Sequence, residues 1–291
     1  MHACAGAGAY WPTMTLAIAR DSAWVACKEQ RRLVRVDLGR RRLTGKRQLG
    51  GQPIAVATGL GSVWALDSDA TLYRIDPRGG RIIRRIRLDV SAAYNIWIGA
   101  GSVWIADDQA ARVVRISPKT NKVVARIQVG DGPSDIAFAG GSAWVIDHRD
   151  RWLFRVNTAT NVATRLGRVA KDNDAPERVV AYAGSLWVTG RGTPLLQVDP
   201  ATGVTLRSID IDGTGIDVVA GSGALWVPVR TPDVDRTGFP TMTALRRVTT
   251  AGVVTTVASA NGRVDVHGLV ATPGAVWLAD NTGGFLYRIA A

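Results

Sequence analysis

One phrase recurs seven times along this chain, and it limits what the chain can fold into more than any other feature. The copies read "DSAWVAC", "GSVWALD", "GSVWIAD", "GSAWVID", "GSLWVTG", "GALWVPV" and "GAVWLAD", with tryptophans at Trp24, Trp64, Trp104, Trp144, Trp187, Trp226 and Trp277. The spacings are 40, 40, 40, 43, 39 and 51 residues. Self-similarity at such a period marks a repeat architecture in which each unit is one supersecondary element. A second phrase follows each tryptophan, such as "TLYRIDP" or "RVVRISP", and an apolar run such as "DIAFAG" precedes most of them. Each unit therefore holds four short β-rich runs parted by Gly, Pro, Asn or Asp turns. No segment of useful length has helical periodicity.

A lone four-stranded sheet cannot bury both of its faces. Seven sheets packed about an axis can, and this accounts for the near-continuous apolar runs of the first two strands. The predicted fold is all-β: a seven-bladed β-propeller of four-stranded antiparallel blades. It is expected as one domain over residues 1–291, with blades starting near 14, 52, 94, 134, 177, 215 and 267. The seven tryptophans are expected as core between blades. The last unit stops after "FLYRIAA", one strand short. Blade seven is thus expected either with three strands or with a fourth drawn from "ACAGAGAYW", whose Gly and Ala make a poor strand.

The chain has 291 residues, with 36 Lys and Arg against 24 Asp and Glu. The resulting net charge of +12 rests on a skew toward Arg, Asp, Ala, Gly and Val, so it is read as tolerance of acidic partners and not as a nucleic-acid signal. The two cysteines, Cys4 and Cys27, are too few for a disulfide framework and lack zinc spacing. Whether they pair is left open. Residues 1–19 carry no basic n-region and are interrupted by Gly and Pro, so neither a signal peptide nor a membrane span is expected there. The compartment stays open, and the expected state is a monomer.

The stretch "GSVWIADDQAARVVRISPKTNKVVARIQVGDGPSDIAFAGGSAWV" resembles the repeats of bacterial propellers of the YVTN and streptogramin-lyase-like groups. The resemblance covers essentially the whole chain. No Trp-Asp dipeptide or Gly-His start is present, which disfavours the WD40 group. The stretch "VDVHGLVATPGAVWLAD" is similar to the streptogramin (virginiamycin B) lyases, which open a cyclic depsipeptide by elimination with a histidine base and acidic residues around a divalent metal. That resemblance implies His267 as the base, Asp265 as the first acid and Asp280 as the later one, with Mg as the cofactor. Both acids are Asp where the family has Glu. The family's second histidine would fall near Gly215 and is missing.

Aligning the units places a ring of residues just before each innermost strand, around the mouth of the central channel on the face called the top. The alignment gives Met14, Gln52, Tyr94, Ser134, Glu177, Gly215 and His267, followed by Thr15, Pro53, Asn95, Asp135, Arg178, Ile216 and Gly268. The ring does not repeat and is polar over blades three to five and at blade seven. The candidate ligand-binding residues are Gln52, Tyr94, Asn95, Ser134, Asp135, Glu177, Arg178 and His267. The insertions "RTPDVDRTGFPTMT" and "GRVAKDNDAP" fall on the same face, which marks it as the binding face.

Features that recur are read as structural. These are the acid three residues after the tryptophan (Asp67, Asp107, Asp147, Asp280) and the third-strand arginine (Arg35, Arg74, Arg115, Arg155, Arg247, Arg288), a series broken by Gln197. His148 is expected in a solvent-exposed turn. The acidic turns 172–174 and 210–212 do not specify a cation site. "GRRRLTGKR" has the wrong spacing for a phosphate-binding loop and no following helix. It belongs instead to a basic region on the outer strands of blades one and two, with Arg40–Arg42, Lys46, Arg47, Arg81, Arg84, Arg85 and Arg87. The leading expectation is a non-catalytic propeller, without cofactor, that presents its top face to a small molecule or protein. The alternatives are a Mg-dependent lyase using His267 and a binder of anionic polymer through blades one and two.

Overall fold

Six apolar or small residues in a row around each tryptophan need both faces of a strand covered, and the fold provides that. In the computed structural model, residues 3–4, 14–171, 174–230, 242–260, 264, 266–280 and 284–291 are described, apart from the side chains of Met14 and His267. They form seven antiparallel sheets spanning 14–48, 53–87, 97–128, 133–168, 175–209, 214–259 and 266–290. The chain is an all-β, seven-bladed propeller. Blades one to six run from an innermost first strand to an outermost fourth. The first strand of blade three is only Trp97–Gly99, and that of blade six is split into Thr214–Gly215 and Val219–Gly221. Second strands such as Ser62–Asp67 and Ser102–Asp107 are buried at every residue, whereas outermost strands alternate exposed and half-buried positions. First and second strands are joined by two-residue turns. Leu60-Gly61 and Ala100-Gly101 have positive φ at both positions, the backbone twist that tight hairpins require.

Every repeat tryptophan packs against the next blade. Trp24 clusters with Val56, Tyr73 and Ile75 of blade two, and Trp64 with Val103, Ile105 and Val114 of blade three. The series continues to Trp277, which closes the ring on Leu16, Val25 and Val34 of blade one. The tryptophans are therefore inter-blade core. Four of them also donate their indole N–H to a carbonyl of the first strand, as Trp104 does to Gly99 at 3.0 Å.

The recurring arginine adds a second tie. Arg115 lies over the Trp104 ring at 5.1 Å, donates to Ser102 Oγ at 2.8 Å, and reaches Asn161 Oδ1 in the next blade at 2.8 Å. Arg74 repeats this with Trp64, Ser62 and Asn121. Gln197, which breaks the sequence pattern, keeps part of the bond pattern: its Nε2 donates to Ser185 Oγ at 2.9 Å.

The recurring aspartate clasps the top loops. Asp67 accepts from the backbone N–H groups of Asp69 and Thr71 and from the Tyr73 hydroxyl. Asp107 accepts from Ser91 and Ala92, and Asp147 from Asp131, Arg149 and Asp150. The approach is close: a Cβ on Gly130 would stand 1.8 Å from Asp147 Oδ2, so only glycine fits there.

Blade one has Cys27 in place of this aspartate, and Cys27 is bonded to Cys4. Ala3 and Cys4 are buried among residues of blades one and seven, and the Ala3 N–H donates to the Gly284 carbonyl at 2.8 Å. Blade seven has three strands among the described residues. Residues 5–11 of the stretch expected as a possible fourth strand lie outside the described residues. The described pair, Ala3 and Cys4, bridges the two ends of the ring.

Candidate functional site

Strand pairing fixes which residues face the channel mouth, because it counts from the buried tryptophan. Trp64 pairs with Ala57, Trp144 with Ala137, Trp187 with Val180, Trp226 with Val219 and Trp277 with Val270. Two positions earlier in each first strand stand Ala55, Asp135, Arg178, Asp217 and Gly268, joined by Thr15 in blade one and Asn95 in blade three. This corrects the sequence alignment in two blades. In blade two the mouth residues are Ile54 and Ala55, and Gln52 and Pro53 lie further back; the Gln52 carbonyl accepts from Ser68 in the loop above. In blade six they are Ile216 and Asp217, one step beyond Gly215 and Ile216. The position compared with the lyases' second histidine is therefore Ile216.

The residue just before this position is special in its backbone. The ladder slips by one residue there in four blades, leaving Ile54, Ser134, Glu177 and His267 as the extra residue of a β-bulge. A bulge bends the strand and re-aims the side chain. His267 stands at this position in blade seven. Its side chain and all of Asp265 lie outside the described residues, as do insertion residues 231–241 and residues 172–173.

The mouth opens into a cavity of about 610 Å³ whose lining includes Thr15, Ile54, Tyr94, Asn95, Ser134, Arg178, Asp217 and Gly268. A second lobe of about 310 Å³ shares Tyr94, Ser134 and Arg178 and adds Trp97, Asp108, His148, Glu177 and Arg191. Tyr94 is 69% exposed and forms an aromatic shelf between the lobes.

The charged groups of the wall form a chain around blades three to six. Asp135 is buried, yet its carboxylate has three donors. Trp97 Nε1 of blade three is 2.5 Å from Oδ1, the Ile136 N–H 2.9 Å from Oδ1, and the Val179 N–H of blade five 2.8 Å from Oδ2. One side chain thus joins three blades. Burial pushes its pKa up to about 6, against the opposing pull of Arg178. Arg178 Nε stands 3.7 Å from Asp217 Oδ1. Burial works to lower the arginine's pKa, but Asp217, Asp135 and Glu177 outweigh it and hold the guanidinium above its ordinary value. Glu177 accepts from Arg191 at 2.8 Å. In the second lobe Asp108 accepts from Arg149 at 2.7 Å and lies 3.9 Å from His148 Nδ1.

Several of these residues escaped the sequence reading. His148 is not in an open turn: its Nδ1 is 2.8 Å from the Gly132 carbonyl, and the ring lines the second lobe. Asp217 was displaced by the one-residue misalignment. Trp97 had a sequence signal, since it lies outside the repeat phrase. Of the implied catalytic acids, Asp280 is buried at the structural aspartate position. The Tyr287 hydroxyl is raised in pKa by burial and then by Asp280, as the Tyr73 hydroxyl is by burial and then by Asp67. Among the described residues, no three His, Cys, Asp or Glu side chains stand close enough together to hold a metal ion.

No protein-family profile matches the sequence, and no curated protein does either. Solved structures do. The chain is similar to virginiamycin B lyase from Staphylococcus aureus, with a TM-score of 0.80, 16% identity, and coverage of 97% of this chain and 96% of the other. A catalytically inactive variant of that lyase with quinupristin gives 0.78 at 15% identity, covering 96% of each chain. Kuenenia stuttgartiensis hydrazine synthase gives 0.72 at 12% identity, covering 97% of each. At these identities the likeness is one of fold: a streptogramin-lyase-like seven-bladed propeller.

Proposed function

We propose that this propeller is a non-catalytic binding domain that receives a ligand or a partner segment in the top-face cavity at the channel mouth, against the charged wall of blades three to six. The observation that carries the reading is where the repeat breaks. Core tryptophans, clasping aspartates and tying arginines recur, but the mouth position changes from Asn95 to Asp135 to Arg178 to Asp217 in consecutive blades. A buried carboxylate and a paired guanidinium are unfavourable to hold in a propeller wall for structure alone. The remaining mouth positions, Thr15, Ala55 and Gly268, show that small residues suffice there. An exposed tyrosine beside fixed charges suits a ligand with one apolar face and a few polar groups.

A second reading, a Mg-dependent lyase with His267 as base, is favoured by the likeness to virginiamycin B lyase. Against it, Asp280 occupies a position where Asp67, Asp107 and Asp147 clasp loops. The two readings separate in one assay. The protein is incubated with quinupristin and Mg²⁺, and ring opening is followed by liquid chromatography. The binding reading expects intact quinupristin. Ring opening that disappears in His267→Ala would overturn it.

A further inference from the structure

The outermost strands carry a charge pattern that the top-face reading does not use. Those of blades one to four read "RLTGKRQ", "IIRRIR", "KVVARIQ" and "ATRLGR". They hold three, three, two and two cations, and no acid. The outermost strand of blade six, "VTTVAS", has no charge at all. The basic residues thus form a belt over one side of the rim, wider than the two blades expected from sequence.

Three acids near the belt, Asp37, Asp76 and Asp89, are already engaged. Asp37 pairs with Arg40 at 3.6 Å, and Asp89 is shared by Arg112 and Arg126 at 3.8 and 3.9 Å. Asp76 accepts from the Arg78 and Gly79 N–H groups of its own turn, which holds its pKa down. Arg42, Lys46, Arg84 and Arg87 are exposed and have no side-chain partner among the described residues. Other guanidiniums are fixed in place: Arg47 by the Gly80 carbonyl of the next blade at 2.6 Å, Arg85 over the Tyr73 ring at 5.8 Å and Arg165 over the Trp152 ring at 4.5 Å. Between blades one and two lies a cleft of about 80 Å³ lined by Arg35, Lys46, Arg47 and Arg78. A water takes about 30 Å³ of liquid, so the cleft has room for one tetrahedral oxyanion.

We propose that this belt is a docking surface for a flexible linear polyanion bearing tetrahedral oxyanions, phosphate or sulfate, along its length. Arg-rich composition favours these groups, since the planar guanidinium matches two oxyanion oxygens at once. The belt is convex and runs around four blades, so only a chain that bends can follow it. Duplex DNA, with a persistence length of about 50 nm, meets it along a single tangent. Between the cations stand exposed aliphatic side chains, Leu43, Ile83 and Val124, and no exposed aromatic ring on which bases would stack.

The test measures binding of the full chain to heparin, to linear polyphosphate, to a 20-base-pair duplex and to vesicles of phosphatidylglycerol and phosphatidylcholine in about 0.1 M salt. Two variants are compared. In the first, Arg42, Lys46, Arg84 and Arg87 are each changed to Gln. The second, Arg20→Glu with Lys171→Glu, lowers the net charge by the same amount away from the belt. Heparin or polyphosphate, whichever binds more tightly, identifies the oxyanion. The proposal expects at least tenfold weaker binding of that polymer by the belt variant, less than twofold by the charge-matched control, and an unchanged thermal midpoint in both. Equal losses in the two variants would reduce the effect to net charge and overturn it. Duplex or vesicle binding as tight as that of the flexible polymers would also overturn it.

Discussion

Asp135 concentrates the physics of the site in one side chain. It tethers Trp97 and Val179 across two blade boundaries, and its carboxyl is pushed up to about 6 by burial. A folded-state value above the unfolded one means that the folded protein holds the proton more tightly. The stabilising contribution is therefore full below about pH 4 and is lost as the pH rises through about 6. The shift corresponds to about 3 kcal/mol. Urea denaturation of the parent and of Asp135→Asn, taken at pH 4 and pH 7, checks this: the parent's advantage should shrink by that order as the pH rises. An advantage that stays constant with pH would show that the carboxyl does not titrate in this window. Arg178→Gln removes the cation facing Asp135, so the carboxyl's apparent pKa should move higher still, visible by NMR.

At the scale of the element, the repeat keeps its bonds even where its letters change. Arg115 touches its own tryptophan, its own serine and the next blade. Arg115→Ala should cost about 2 kcal/mol in urea denaturation, from the lost hydrogen bonds and the stacked guanidinium. Trp104→Ala should cost more, about 3–5 kcal/mol, because its cavity opens between two blades that cannot collapse together. The elements were the most legible part of the sequence, since a recurring tryptophan phrase marks each second strand and a two-residue turn locks the first strand to it. The mouth was legible only in part. Counting back from the tryptophan gives Ile54, Ala55, Ile216 and Asp217, but the polar Gln52 and Gly215, at the end of the first piece of a split strand, draw the alignment away. The bulge has no letter of its own: Ile54, Ser134, Glu177 and His267 share a backbone irregularity and no chemistry. His148 lines the site because the loop after the second strand of blade four folds back on Gly132, which no local pattern announces.

For the whole molecule, the question is how the ring stays shut between its first and last blades. Trp277 packs on blade one, and the Cys4–Cys27 bridge holds Ala3 against Gly284 at the same seam. Cross-linking a loop of this length should contribute about 3 kcal/mol. Reduction, or Cys4→Ser with Cys27→Ser, should lower the unfolding free energy in urea by that order. Hydrogen exchange should quicken first at the blade-one and blade-seven edges. Exchange that quickens uniformly would place the closure elsewhere. Away from the seam, Asp135 ties blades three, four and five together beside the cavity. The most direct test of the central claim is a ligand-observed NMR fragment screen of the full chain against Tyr94→Ala and Arg178→Gln, with Arg84→Gln as a control on the rim. The account predicts fragments whose binding is lost in both mouth variants and kept in the control. Fragments that bind all four proteins alike, or a screen with none that bind, would contradict it.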